Sequence, residues 1–130
     1  SHWSDKGITR LVGIESRGFI FGAALAYAMD LGLTLVRKPG KLPRETRTVS
    51  YELEYGTDSL EIHVDAVGPN DRVLIVDDVL ATGGTAAAVC ELIAGTGADV
   101  AGLAFALELG FLPGREKLPA GAEVQSLMVV

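Results

Sequence analysis

The chain has 130 residues, 48% of them apolar and 22% charged, with a formal net charge of −6 at pH 7. That is enough for a single domain with a sizeable core, and it excludes a disordered tail. The acidic balance argues against nucleic acid or an anionic membrane as partner, and no apolar run nears the roughly eighteen residues that span a bilayer.

The chain opens Ser-His-Trp-Ser-Asp-Lys, with neither an initiator Met nor a signal-peptide pattern, so upstream residues are expected to be missing. Leu11 to Ile14 reads as a buried strand, broken by Glu15-Ser16-Arg17-Gly18. Phe19 to Leu31 has helical spacing, with Gly32 as its stop, and Leu33 to Val36 is a second strand. A polar stretch from Arg37 to Ser50, holding Pro39, Gly40 and Pro43, is long for a loop without structure of its own. Such loops are usually functional lids or disordered. Val49–Tyr55 and Ser59–Val64 read as strands around Gly56-Thr57-Asp58, the second with one wet face. Val73 to Val76 is the clearest buried strand; an Ala-rich helix follows to about Ile93, then strands at Val100–Leu107 and Glu123–Val130. The single cysteine, Cys90, cannot form an internal disulfide and reads as a small core residue in a reducing, cytoplasmic setting. His63, on an alternating strand facing solvent, reads as structural.

This order implies an α/β fold with a mainly parallel sheet, helices on both faces and a long flexible lid loop. Ligands of such sheets bind outside the carboxyl ends of the strands. That places 15–18, 37–47 and 77–85 at one site.

Val73 to Thr85 carries the most chemistry. A buried strand delivers Asp77 and Asp78 to its end, and Ala81-Thr82-Gly83-Gly84-Thr85 opens a helix. Paired glycines let the backbone approach a ligand, and the helix N-terminus supplies free N–H donors and partial positive charge. This fits a phosphate monoester. The spacing and lysine of a Walker loop are absent. Two carboxylates beside a phosphate make sense if they accept hydrogen bonds from sugar hydroxyls or share a cation. A helix cap with a solvated acid would explain either Asp alone, but not the whole string.

Arg37, Lys38, Lys41, Arg44 and Arg47 place five cations within eleven residues, opposed only by Glu45. A basic run alone is usually a solvated surface. Beside a phosphate pocket in an acidic protein, it reads as an anion lid. Ser16-Arg17-Gly18 before the first helix reads as a second anion site, or more plainly as an ordinary helix start.

The string Val-Leu-Ile-Val-Asp-Asp-Val-Leu-Ala-Thr-Gly-Gly-Thr at 73–85 resembles the phosphoribosyl pyrophosphate (PRPP) motif of type I phosphoribosyltransferases, in the wording of the adenine-specific branch. Gly-Ile-Glu-Ser-Arg-Gly-Phe at 13–19, Val-Arg-Lys-Pro-Gly-Lys-Leu-Pro at 36–43 and Tyr-Glu-Leu-Glu-Tyr-Gly at 51–56 agree, in order, over about Ile8 to Lys117. The family's Arg-Asp-containing N-terminal stretch, which helps select the base, has no counterpart in 1–130, read as a single phosphoribosyltransferase core domain.

The resemblance implies transfer of 5-phosphoribose from PRPP to adenine, giving AMP and pyrophosphate. It implies a homodimer and Mg²⁺ held mainly through PRPP, with no direct protein ligands. Ala81, Thr82, Gly83, Gly84 and Thr85 would hold the 5-phosphate, and Asp77 and Asp78 the ribose. Ser16, Arg17, Gly18, Arg37, Lys38 and Lys41 would hold pyrophosphate, and Val79 and Leu80 would lie beside the base. Glu54 would be the catalytic acid–base group. Its own pattern says little, since Glu52 and Glu54 share a strand face and most such pairs are solvated; Glu15 and Glu108, at strand ends, are rivals. Residues 38–50 would close over the site to keep water from an oxocarbenium-like sugar, and would be mobile without ligand. Two alternatives stay open: a sister enzyme for xanthine or orotate, and a non-catalytic PRPP-sensing regulator.

Overall fold

The runs of Val, Leu and Ile separated by glycine-rich breaks form parallel strands joined by helices. The computed structural model describes residues 3, 6–15, 17–43, 45–53 and 56–130, with the backbone alone at 52, 53 and 56. In chain order these are β1 (Arg10–Ile14), α1 (Arg17–Met29), β2 (Gly32–Val36), β3 (Thr46–Leu53), β4 (Gly56–His63), β5 (Arg72–Leu80), α2 (Gly84–Ala94), β6 (Asp99–Glu108), a 3-10 turn (Gly114–Lys117) and β7 (Glu123–Val129).

β2-β1-β5-β6-β7 form one sheet with every pairing parallel. Side chains of successive residues leave it on opposite faces. Leu11, Leu74 and Val76 pack with Ala26 of α1 and with Trp3. Val12, Ile14, Val73 and Ile75 pack with Val89, Leu92 and Ile93 of α2. The expected sheet with helices on both faces is therefore what forms. Each fully buried Leu, Ile or Val here contributes about 1.5–3 kcal/mol by leaving water.

The strand order reverses between β1 and β5. β1 passes through α1 to β2 on one side; β5 passes through α2 to β6 on the other. This switch point leaves a crevice between the carboxyl ends of β1 and β5, the general place for a ligand in such sheets.

Four local expectations are corrected. Gly32 does not stop α1. Asp30 does, in the left-handed region at φ 57, while the Leu31 N–H closes on the Ala26 carbonyl at 3.0 Å. Gly32 instead begins β2, where a Cβ would lie 2.6 Å from the Arg10 guanidinium.

The segment 37–50 is not one long loop. From Thr46 onward it is β3, paired antiparallel with β4, Thr46 facing His63 and Leu53 facing Gly56. Alternation made this strand: Thr46 and Thr48 bond the Glu61 carboxylate, while Val49 and Tyr51 pack against the core. Gly56 to Asp58, expected as the hairpin turn, belongs to β4.

β5 also runs further than the apolar stretch announces. It continues through Asp77 and Asp78 to Leu80, because β6 keeps pairing with it, Asp77 facing Phe105 and Leu80 facing Glu108. The two acids are thus strand residues, held by a rigid ladder.

Candidate active site

The crevice is built from three chain segments that meet through named contacts. Past the end of β1, Gly18 lies in the first turn of α1. A Cβ there would lie 2.9 Å from the Val76 carbonyl oxygen and 3.0 Å from Asp77 Oδ1, so only glycine lets α1 start this close to β5. Arg17 Nε then donates to Asp78 Oδ2 at 2.9 Å. Ser16 lies outside the described residues.

Asp77 accepts the Asp78 N–H at 2.8 Å, and Asp78 accepts the Val79 N–H at 2.9 Å. Burial pushes the Asp77 carboxyl up to about 7; the neighbouring Asp78 carboxylate adds to this, and the Asp78 N–H and Arg17 oppose it. Asp77 also borders an apolar cleft of about 460 Å³ lined by Phe21, Leu25, Phe105 and Leu127.

Past β5 the chain forms a cradle of about 90 Å³ lined by Asp77, Val79, Leu80 and Ala81 to Ala86. Gly83 sits at φ 86 and caps α2 without any side-chain hydrogen bond. The first N–H groups of α2 are thereby left for a ligand. Leu80 is 1% exposed and packed into the core, Val79 is half-buried, and both border the cradle.

The basic segment enters from the end of β2. Arg37 forms a two-way backbone bridge with Glu61, and its guanidinium lies 5.7 Å from the centre of the Phe19 ring. Glu15 gathers this segment. It accepts from Arg37 Nε at 3.3 Å, the Lys38 N–H at 2.8 Å and Lys41 Nζ at 2.6 Å. Burial would raise the Glu15 carboxyl, but these bonds and the Lys41 charge hold it below its ordinary value. Lys38 Nζ reaches Asp58 at 2.7 Å; each holds the other charged, Lys38 shifted up and Asp58 down. The Glu61 carboxylate accepts the Gly40 N–H at 3.1 Å.

Tyr51 joins this segment to the cradle. Tyr51 faces Asp58 across the β3–β4 ladder, and its hydroxyl accepts from Thr85 Oγ1 at 3.4 Å. Arg17, Gly18, Arg37, Lys38, Lys41, Asp77, Asp78 and the Ala81–Thr85 loop are therefore one constellation. Arg47 is not part of it: its guanidinium lies beside Gly95, at the carboxyl end of α2, where a cation favours the helix dipole. Arg44 and Glu54 lie outside the described residues.

Sequence reasoning missed the carboxylates that hold the cations. Glu15 stood out only as a rival acid, Glu61 read as a wet strand residue, and Asp58 as part of a turn. Their signal is register: Arg37 and Glu61 become neighbours only once β4 is laid against the end of β2. Glu108, the other rival acid, is 8% exposed and held by Arg115 through two bonds of 2.8 Å, with Ser126 adding a third. Those partners keep its carboxyl below the ordinary value. Cys90 is buried, which pushes its thiol up to about 11 and makes it inert, as expected of a core residue. Among the described residues no three His, Cys, Asp or Glu side chains converge as a metal cage.

The family model described as phosphoribosyl transferase domain matches residues 4–117. An adenine phosphoribosyltransferase of Rubrobacter xylanophilus is 64% identical over 119 residues, covering 92% of this chain and 64% of the relative. The chain thus spans just under two thirds of that relative's length. The crystal structure of adenine phosphoribosyltransferase from Rhodothermus marinus, 52% identical, superposes with a TM-score of 0.95 over 99% of this chain and 73% of that one. The Saccharomyces cerevisiae enzyme, complexed with an imino-altritol bisphosphate and adenine, is 46% identical, with a TM-score of 0.90 over 97% of this chain and 70% of that one. On sequence and fold alike, the chain belongs to the adenine phosphoribosyltransferase family.

Proposed function

We propose that the protein transfers 5-phosphoribose from PRPP to adenine, releasing pyrophosphate and AMP. The carrying observation is the convergence of Arg17, Lys38 and Lys41 with Asp77, Asp78 and the Gly83 loop at one crevice. It matches a substrate with a phosphate at one end, a pyrophosphate at the other and hydroxyls between. The names of the relatives favour adenine over xanthine or orotate, and a transferase over a sensor.

In this reading Ala81 to Thr85 bind the 5-phosphate through backbone N–H groups and the Thr82 and Thr85 hydroxyls. Asp77 and Asp78 accept hydrogen bonds from the ribose hydroxyls and fix the sugar. Ser16, Arg17, Gly18, Arg37, Lys38 and Lys41 bind the pyrophosphate. The bond from ribose C1 to pyrophosphate breaks with its electron pair on the leaving oxygen, and Arg17, Lys38 and Lys41 stabilise the charge that develops. The imidazole nitrogen of adenine bonds to C1, and Glu54 takes its proton. Val79 gives the base an apolar surface.

The expected Mg²⁺ would be held mainly through PRPP oxygens, with the carboxylate of Asp77 at the cradle as a hard oxygen neighbour. When bound, it neutralises charge on the pyrophosphate. Glu15 and Asp58 keep the cations oriented before substrate arrives, and the exposed position of Lys38 and Lys41 lets a multiply charged anion draw them over. The closing element is then 38–45 rather than the longer loop, because β3 is anchored by β4. Exposed Ile20 and Tyr27 on α1 support the expected homodimer. No described helix is long and apolar enough to cross a membrane, and a cytoplasmic location completes the proposal.

The test is pyrophosphate release from PRPP and Mg²⁺ with adenine, hypoxanthine, guanine, xanthine and orotate in parallel, using the native-length protein. Release with adenine alone is expected. Release only with another base, or PRPP binding without turnover, overturns the proposal.

A further inference from the structure

The phosphate cradle is a poor support for itself. Its central Gly83 lies at φ 86, α2 starts without a side-chain cap, and glycines lose the most freedom on ordering. Its rigidity must come from outside, and the structure has one element placed to give it. The 3-10 turn Gly114–Lys117 packs backbone to backbone against the loop. A Cβ at Gly83 would lie 2.3 Å from the Gly114 carbonyl oxygen, and a Cβ at Gly114 would lie 2.4 Å from the Ala81 carbonyl oxygen. The two glycines interlock, so the loop can hold its shape only while the turn stays in place.

The turn is fixed by the residue after Gly114. Arg115 donates through Nε and Nη2 to the two oxygens of Glu108, both at 2.8 Å, and through Nη1 to the Val124 carbonyl at 3.3 Å. Ser126 Oγ fills another lone pair of Glu108 at 2.8 Å. Glu108 closes β6, and the Leu109 N–H beside it bonds the Leu80 carbonyl at 2.9 Å, one residue before the loop begins. A bidentate pair on a nearly buried carboxylate has one geometry, which a lysine or a solvated pair would not enforce. Arg115 does not line the cradle.

We infer that Arg115, locked by Glu108, is a positioning residue for the 5-phosphate loop, acting through the Gly114 backbone on Ala81 and Gly83. The inference rests on the proposed use of that loop for phosphate. A displaced loop presents its N–H groups off the phosphate oxygens, and small misplacements of this kind cost large factors in binding and rate. The described pyrophosphate groups, at the start of α1 and just past β2, are held by Asp78, Glu15 and Asp58 rather than by Arg115, so the effect should be confined to one end of the substrate.

The experiment is equilibrium titration of two probes, ribose 5-phosphate and Mg²⁺-pyrophosphate, against wild type, Arg115→Met, Arg115→Lys and Gly114→Ala. Arg115→Met should weaken ribose 5-phosphate about tenfold, with pyrophosphate held within about twofold. Arg115→Lys, which keeps the charge and loses the fork, should fall between. Gly114→Ala should weaken ribose 5-phosphate without touching the ion pair. In turnover, KM for PRPP should rise while kcat stays nearly level. Unchanged ribose 5-phosphate binding in Arg115→Met overturns the inference, as does an equal loss of both probes, which marks general damage to the fold. If wild type binds pyrophosphate but not ribose 5-phosphate, the phosphate reading of the loop fails and the inference falls with it.

Discussion

Arg17 Nε meets Asp78 Oδ2 at 2.9 Å, tying the start of α1 to the end of β5 across the switch point of the sheet. The Arg17 side chain is 77% exposed, so this pair is screened and adds little stability. A cation held loosely beside an acid can change partner when a stronger anion arrives. Arg17→Gln should therefore move unfolding free energy by less than about 0.5 kcal/mol while raising KM for PRPP about tenfold. Denaturant melts and initial-rate kinetics check both halves.

Asp77 gives a pH signature. Burial lifts its carboxyl from an ordinary 3.8 to about 7. Its folded form binds the proton more tightly than the unfolded chain does. The stabilisation it gives is fully present below the unfolded value and is lost as pH rises through the folded one, across about 4 to 7. Asp77→Asn keeps the shape without the buried charge. It should stabilise the protein at pH 8 by about 1–2 kcal/mol while weakening PRPP binding, and the gain should vanish near pH 4. Urea melts at the two pH values measure the difference.

Tyr51 stands between both ends of the proposed substrate, facing Asp58 across the β3–β4 ladder and accepting from Thr85 Oγ1 at 3.4 Å, while Asp58 holds Lys38. Tyr51→Phe should cost about 1 kcal/mol or less in stability. In a double-mutant cycle on PRPP affinity, Tyr51→Phe and Lys38→Met should be non-additive by at least about 0.5 kcal/mol. Strict additivity would mean the path carries no coupling.

Glu15 makes a local prediction. It accepts the Lys38 N–H and the Lys41 ammonium together. Glu15→Gln removes the charge that assists both bonds, each worth about 1.5–3 kcal/mol. Hydrogen exchange at the Lys38 amide should quicken about tenfold or more, with the exchange of β5 amides unchanged.

Much of this was legible in the chain. The apolar run at 73–76, the acid pair and the Thr-Gly-Gly-Thr turn carry local physics, so strand, turn and helix start could be read in order. What stayed hidden depends on register. Thr46 to Thr48 looked like loop because their polar side chains have no visible partner until β4 supplies Glu61. Asp77 and Asp78 seemed to follow their strand because β6 pairing, which extends it, is set more than twenty residues later. Glu108 looked like a free acid because Arg115 reaches it through a turn. Glu54 rests on resemblance alone.

The most direct measurement is the crystal structure of the protein with AMP bound. The account predicts the 5-phosphate within hydrogen-bond reach of the backbone N–H groups of 82–85, with the ribose hydroxyls on Asp77 and Asp78. A phosphate seated elsewhere, with that cradle filled only by water, would contradict it.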